Sequence, residues 1–136
     1  MENKPFVLIT DRIFGVASDV FAVAEGIETA MALKTVTPAM PMVAALSAAH
    51  LAALTLPPIL QRLYVARDND HVGRLALERL RERSRGSGIA VRPLIPRAED
   101  FNADLLNLDP DRLRAWIAEQ LADDDIRRFL IVDDGL

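Results

Sequence analysis

Apolar positions come in short blocks that stop abruptly at acidic residues, serine, glycine or proline. Val20-Phe21-Ala22-Val23-Ala24 runs into Glu25-Gly26, and Met42-Val43-Ala44-Ala45-Leu46 into Ser47. The run from Arg62 to Ala66 passes through Arg67 into Asp68-Asn69-Asp70, and Ile89 to Ile95 ends at Pro96. Blocks of this kind read as buried strands. Phe6 to Thr10 is a further strand candidate, followed by a turn over Gly15 to Asp19.

Between the blocks the pattern turns helical. Glu28 to Val36 is rich in good helix formers and is ended by Pro38 and Pro41. Ser47 suits the N-cap of a helix reaching about Leu54, before the Pro57-Pro58 break. From His71 or Val72 to about Arg85, one face carries Val72, Ala76, Leu77, Leu80 and Ser84. The other carries Arg74, Glu78, Arg81, Glu82 and Arg85. Gly86-Ser87-Gly88 stops that helix. Asp109 caps another, with Pro110 in its first position, running to about Leu121. Ile126 to Val132 fits either a strand or a helical turn. The alternation of strand and helix implies an α/β fold with a mostly parallel sheet and helices on both faces.

Composition narrows the chemistry. Hydrophobic residues make up 51% of the 136, enough for a core, but aromatics are only 5%, so aliphatic side chains must build it. There is no cysteine, which removes disulfides, thiolate zinc sites and cysteine nucleophiles from this chain. The two histidines, His50 and His71, lack partners at metal-ligand spacing, so no zinc site is expected. No apolar stretch is long enough to span a bilayer and no signal peptide is evident, so a soluble cytoplasmic protein is expected. Net charge is −4 overall, yet residues 61–98 carry nine basic and four acidic groups. General coating of nucleic acid is disfavoured, while local phosphate contact is not.

The acidic strand ends are the chemical signal. A carboxylate at the end of a strand sits where ligands bind in open α/β folds. Glu25 is followed by a glycine, which leaves room for close approach. Asp68 and Asp70, at i and i+2, point the same way in an extended segment. Together they suit a hard cation such as Mg²⁺, which takes oxygen ligands from one or two carboxylates and from substrate phosphates. Each acid alone has a plainer reading: a turn residue for Glu25, a helix cap for either aspartate.

Taken in order, these motifs resemble the Toprim domain shared by bacterial-type primases, type IA and type II topoisomerases, OLD-family nucleases and recombination mediators. Ala24-Glu25-Gly26-Ile27-Glu28-Thr29-Ala30, Ala44-Ala45-Leu46-Ser47-Ala48, Asp68-Asn69-Asp70 with Gly73, and Asp100-Phe101-Asn102 resemble most the Toprim module of plasmid- and phage-type primases and primase-helicases. The resemblance covers roughly Val20 to Leu106. It implies a Toprim-like, Rossmann-like three-layer fold around about four strands. It also implies Glu25 as general acid/base and Asp68 and Asp70 as ligands of Mg²⁺, or of Mn²⁺. Asp100, Asn102 and Asp104 are candidate additional site residues, although the relatives' Asp-Phe-Asn-Asp is interrupted here by Ala103. Arg67, where relatives often carry a small or acidic residue, is a candidate either to pair with the acidic cluster or to contact phosphate, and Arg74 is a further candidate phosphate contact.

Other candidates have plainer explanations. Asp100-Phe101-Asn102 also fits an Asx-type turn with Phe101 tucked into the core. Ser47 lacks a glycine elbow and fits an N-cap better than a nucleophile. The arginines at 74, 79, 81, 83 and 85 fit a solvated helix face, and Asp123-Asp124-Asp125 and Asp133-Asp134 a solvated tail. The expected organisation is one domain: an N-terminal segment over 1–19, a Toprim core over 20–108 and a C-terminal helix with acidic tail over 109–136.

The expected function is Mg²⁺-dependent nucleotidyl or phosphoryl transfer on nucleic acid, as a primase-like module in DNA replication. DNA, nucleotides and further domains or replication proteins are the expected partners. The absence of a zinc motif and of a P-loop leads to the expectation that other segments are needed for activity. A non-catalytic interaction module with the same fold and an OLD-like nuclease are the alternatives.

Overall fold

The structure, a computed structural model, describes residues 6–8 and 18–130. Five strands form one parallel sheet: β1 (Phe6–Leu8), β2 (Val20–Ala24), β3 (Met42–Ala44), β4 (Arg62–Ala66) and β5 (Ala90–Leu94), in the order β1-β3-β2-β4-β5. Four of these make the expected central sheet, and β1 extends it at one edge. Ile9, Thr10, the turn from Gly15 to Ala17, Ile131, Val132 and the Asp133-Asp134 pair lie outside the described residues.

Alternation along each strand splits the core into two layers. Ala22, Ala24, Met42, Tyr64, Ala66 and Leu94 face one side. That side is covered by α1 (Ile27–Val36), α4 (Phe101–Asn107), α5 (Pro110–Ala118) and Phe129. Phe21, Val23, Val43, Leu63 and Val65 face the other, beneath α2 (Ala48–Ala52) and α3 (His71–Ser84). Strands buried on both faces explain why the sequence shows continuous apolar runs.

Connectivity fixes where a ligand can enter. Helix α1 carries the chain from β2 to β3, and α3 carries it from β4 to β5, in opposite directions along the sheet. The two helices cover opposite faces, so the switch point lies between the neighbouring strands β2 and β4. In open α/β sheets that crevice, at the carboxyl ends of the strands, is the ligand site. Ala24 and Ala66 are register partners, so Glu25 and Asp68 leave the sheet at the same edge.

Several local expectations change. Residues 101–107 form helix α4 rather than ending as an Asx-type turn, with Asp100 as N-cap accepting from Ala103 N at 2.8 Å. Phe101 is nevertheless fully buried, as expected. Val72 is 55% exposed, and Gly73 takes its place on the buried face of α3. Arg83 is not simply solvated: it donates to the carbonyls of Ala52 and Leu54, tying α3 to the end of α2. Asp125 is not tail charge either. It is buried, accepts from Arg62 at 2.8 Å and from the Tyr64 hydroxyl, and pins α6 (Asp123–Asp125) to β4. The segment after it, Ile126–Leu130, is a π-helical turn rather than a strand. Ser47 caps α2 as expected, accepting from His50 N at 3.1 Å. Among the described residues no helix is long and apolar enough to cross a membrane.

Candidate functional site

A cleft of about 410 Å³ opens at the carboxyl edge of β2 and β4. Glu25, Gly26, Glu28, Thr29, Leu46, Asp68 and Asp100 line it. Three of the sequence-predicted acids, Glu25, Asp68 and Asp100, therefore converge. Each arrives by a different route. Glu25 and Asp68 follow directly from the two central strands. Asp100 is brought in by contacts of Asn69 and Asp104. Asn69 N donates to Glu99 O at 2.8 Å, and its side chain to Ala98 O at 3.3 Å. The buried Asp104 accepts from the backbone N–H of both Arg97 and Ala98 at 2.8 Å. The middle residue of Asp68-Asn69-Asp70 thus clamps the loop that delivers the third acid.

The other predicted residues take different positions. Asp70 is exposed, and one of its oxygens caps α3 by accepting from Gly73 N at 2.6 Å. Its other oxygen is not used by the cap, and its charge is felt at both Glu25 and Asp68. Asp104 has both oxygens committed to backbone amides and does not line the cleft. Asn102 lies in a separate groove with Glu28, Met31 and Leu105. Arg67 is buried and donates to the Asp68 carbonyl at 3.2 Å, while Arg74 is exposed on the first turn of α3.

Burial and mutual repulsion disfavour the charged forms of the acids in the cleft. Burial pushes the Glu25 carboxyl up, and the charges of Asp68 and Asp70 push it further. Asp68 is also raised, first by burial and then by Asp100 and Asp70, with the Thr29 hydroxyl and Glu25 opposing the shift. The mutual influence of the two carboxyls favours a proton on Glu25 and charge on Asp68. Glu25 Oε2 and Asp68 Oδ1 are both buried with no hydrogen-bond partner. Buried polar atoms are nearly always paired, so two orphans in one cleft are a marked exception.

Asp68 Oδ1 fits a hard divalent cation, which would partner it and relieve the repulsion among the acids around it. Among the described residues no three His, Cys, Asp or Glu side chains are already arranged to hold a metal. An ion at Asp68 would be held by few protein ligands and completed by water or phosphate, as Mg²⁺ prefers. Two contributors to the cleft carried little sequence signal. Thr29 lies within the resemblance but looks like an ordinary helix residue. Leu46 is exposed at the cleft with φ of 78°, a left-handed conformation uncommon for leucine.

Comparison with known proteins follows the same lines. The primase fragment of the bacteriophage T7 primase-helicase protein is similar over 75% of this chain and 43% of its own, with a TM-score of 0.56 and 18% identity. A DNA primase domain from Pseudomonas aeruginosa is similar over 76% of this chain and 34% of its own, with a TM-score of 0.56 and 28% identity. The chain thus spans less than half the length of either, and the likeness to the T7 fragment is one of fold alone. No curated protein sequence matches significantly. The Toprim-domain family model, however, matches residues 20–111, a span that holds β2 to β5, the cleft and all its acids, and the chain belongs to that family.

Proposed function

We propose that this Toprim domain supports Mg²⁺-dependent nucleotidyl or phosphoryl transfer on nucleic acid, as a primase-like module that acts with further domains or replication proteins in the cytoplasm. The observation that carries the reading is the pair of buried, unpartnered oxygens, Glu25 Oε2 and Asp68 Oδ1, in one cleft.

In this reading Asp68 and Asp70 hold the cation, Mn²⁺ being able to replace Mg²⁺, and Asp100 adds a further negative charge felt at Asp68. The bound cation supplies neutralisation of charge that develops on the reacting phosphate. Glu25 moves the proton. A carboxyl raised above its ordinary value holds and releases a proton nearer working pH than a solvated glutamate does. Thr29 opposes the rise at Asp68 and so favours the charged form that ligation needs. Similarity to a DNA primase domain at 28% identity supports DNA and nucleotides as the substrate class. The small share of that structure covered by this chain supports a need for other segments to hold template and nucleotide.

Calorimetric titration with Mg²⁺ and Mn²⁺ tests the metal site. A saturable response is expected from the wild type and should vanish in Asp68→Asn/Asp70→Asn. A wild type without one, or a variant that keeps it, would sink the proposal. Supplying a single-stranded template with nucleotides then separates the reactions. New oligomers support the primase reading, shortened labelled DNA supports a nuclease, and neither product from a complex containing the partner domains leaves a binding module.

A further inference from the structure

A cavity of about 320 Å³ lies outside the acidic cleft and shares no residue with it. Arg97, Leu108, Arg112, Ala115, Trp116 and Glu119 line it. Trp116, on α5, is the only tryptophan of the chain, and it lies past residue 111, where the family match ends. Its ring is fixed in place. The indole N–H donates to the Ile95 carbonyl at 2.8 Å. Gln120 grips Ile95 as well, accepting from its N–H at 2.7 Å and donating to its carbonyl at 3.1 Å. The Arg97 guanidinium lies over the Trp116 ring, 4.6 Å from its centroid. That guanidinium forms no ion pair among the described residues, while the Arg97 backbone N–H is held by the buried Asp104.

The layering makes a shelf. Trp116 takes one face of a planar cation, and the other face is left for a ligand. A flat cationic surface of this kind attracts the π-face of a nucleobase. Leu108 and Ala115 give the cavity apolar walls. The charges of Arg112 and Glu119 oppose one another, so the cavity suits a neutral ring better than a phosphate. Its volume is at the small end for ligand sites, which fits one base rather than a whole nucleotide.

The cavity also neighbours the cleft. β5 lies beside β4 in the sheet. The loop that leaves β5 carries Arg97 and, three residues on, Asp100, which lines the cleft. Three extended residues reach about 11 Å at most. Asp104 holds this loop through the amides of Arg97 and Ala98. We propose that the cavity is a stacking subsite, which takes one unpaired base of a single strand on the Arg97–Trp116 shelf while the strand runs on across the loop to the acidic cleft. That the strand is nucleic acid rests on the function proposed above; the stacking pocket itself rests on the cavity and its shelf. Tryptophan and arginine also recur at protein interfaces. The loop shared with the cleft and the cation layered on the ring favour a strand.

Two probes test this on the full chain in Mg²⁺ at low salt: an oligothymidylate and an abasic strand of equal length. Anisotropy of the labelled strands reads binding. Emission of Trp116, titrated with the unlabelled strands, reads the cavity itself, because no other tryptophan contributes. The wild type should bind the oligothymidylate saturably, with the emission changing at the same midpoint. Arg97→Ala, at an exposed position, should weaken that binding about tenfold, a loss typical of one stacked base. Arg97→Lys should weaken it nearly as much, because lysine keeps the charge and loses the flat face. The abasic strand should bind Arg97→Lys as it binds the wild type. The proposal is overturned if Arg97→Lys binds the oligothymidylate as the wild type does, or if it weakens both strands equally. It is overturned too if the emission stays constant at saturation. A wild type that binds neither strand also overturns it and leaves the cavity to a protein partner. Mg²⁺ calorimetry keeps the two readings apart. A normal metal response with Arg97→Lys unaffected removes the stacking subsite alone. The expected loss in Arg97→Lys, in a protein with no Mg²⁺ response, removes the metal reading alone.

Discussion

A Cβ added at Gly73 would lie 2.5 Å from the carbonyl oxygen of Asp68 and 3.1 Å from the Asp70 Oδ1 that caps α3. The first clash is with backbone, so a side-chain rotation cannot relieve it. Gly73 is thus the residue that lets α3 begin directly against the Asp68-Asn69-Asp70 turn. At an ordinary helical position Gly→Ala stabilises by up to about 1 kcal/mol. Here the sign should reverse. Gly73→Ala is expected to lose about 1–3 kcal/mol, the usual cost of forcing atoms into filled space. It should also weaken the Mg²⁺ response by shifting Asp68. Urea denaturation and calorimetry measure the two effects, and a more stable Gly73→Ala protein would contradict this geometry.

Asp104 and Asp68 should respond in opposite ways to the loss of charge. Asp104 holds two backbone amides in a buried loop, so Asp104→Ala leaves donors unpaired and should cost about 3 kcal/mol. It should also loosen the loop that brings Asp100 to the cleft. Asp68→Asn instead removes a charge that burial and neighbouring acids disfavour. Its melting temperature in EDTA should equal or exceed that of the wild type, while its metal response is lost. Stability gained by disarming a site is the expected trade-off when repulsion has been retained for function. Thermal melts of both variants in EDTA check the pair of signs.

The acids that end strands were legible in the sequence, and the acids that end up inside were not. Glu25 and Asp68 stand out because each closes a run whose residues are buried on both faces. Nothing local distinguishes Asp125 from Asp123 and Asp124. Its partners Tyr64 and Arg62 are 61 and 63 residues away, so only the fold brings them together. Helix α4 was missed because it is seven residues long and buries only Phe101 and Asp104, too little for a periodic stripe. Asp70 had two competing readings, cap and ligand, and its two oxygens admit both. The Val72 error was confined to the first turn: Ala76, Leu77, Leu80 and Ser84 are buried as expected, but there α3 is buried through Gly73, whose lack of a side chain hides it from any hydrophobic pattern.

Tyr64 makes the C-terminal segment part of the domain. Its hydroxyl donates to Asp125 and accepts from Ala122 N at 2.9 Å, both beyond α5. Tyr64→Phe should cost about 1–3 kcal/mol, because a buried carboxylate and an amide each lose a partner. Burial and the Asp125 carboxylate push the Tyr64 pKa up to about 12 from 10.0. The folded protein therefore keeps this proton after the unfolded chain has released its own. The stabilisation is complete below about pH 10 and is lost as pH rises through about 12. Alkaline denaturation should accordingly begin at lower pH for the wild type than its neutral-pH stability suggests, and this term should be missing from the Tyr64→Phe profile. Profiles of the same shape would rule out Tyr64 as its source.

The Glu25–Asp68 pair should give the metal-free protein a pH dependence opposite to that of ordinary paired carboxylates. Asp19 is ordinary: its bond to Arg128 lowers its pKa. Glu25 and Asp68 are raised, chiefly by burial. Above about pH 4, where unfolded carboxyls ionise, the folded pair still holds protons that the unfolded chain has lost. More protons in the native state means that stability falls as pH rises. The contribution is fully present below about pH 4 and disappears as pH passes the raised folded values. Melting temperatures in EDTA between about pH 5 and about pH 8 should thus decline more steeply for the wild type than for Glu25→Gln/Asp68→Asn. Saturating Mg²⁺ should reverse the trend in the wild type, because ligation requires charged carboxylates and gains as protons leave. It should leave the double variant unchanged. Parallel curves for the two proteins in EDTA would show that the two carboxyls do not carry the strain that their burial implies.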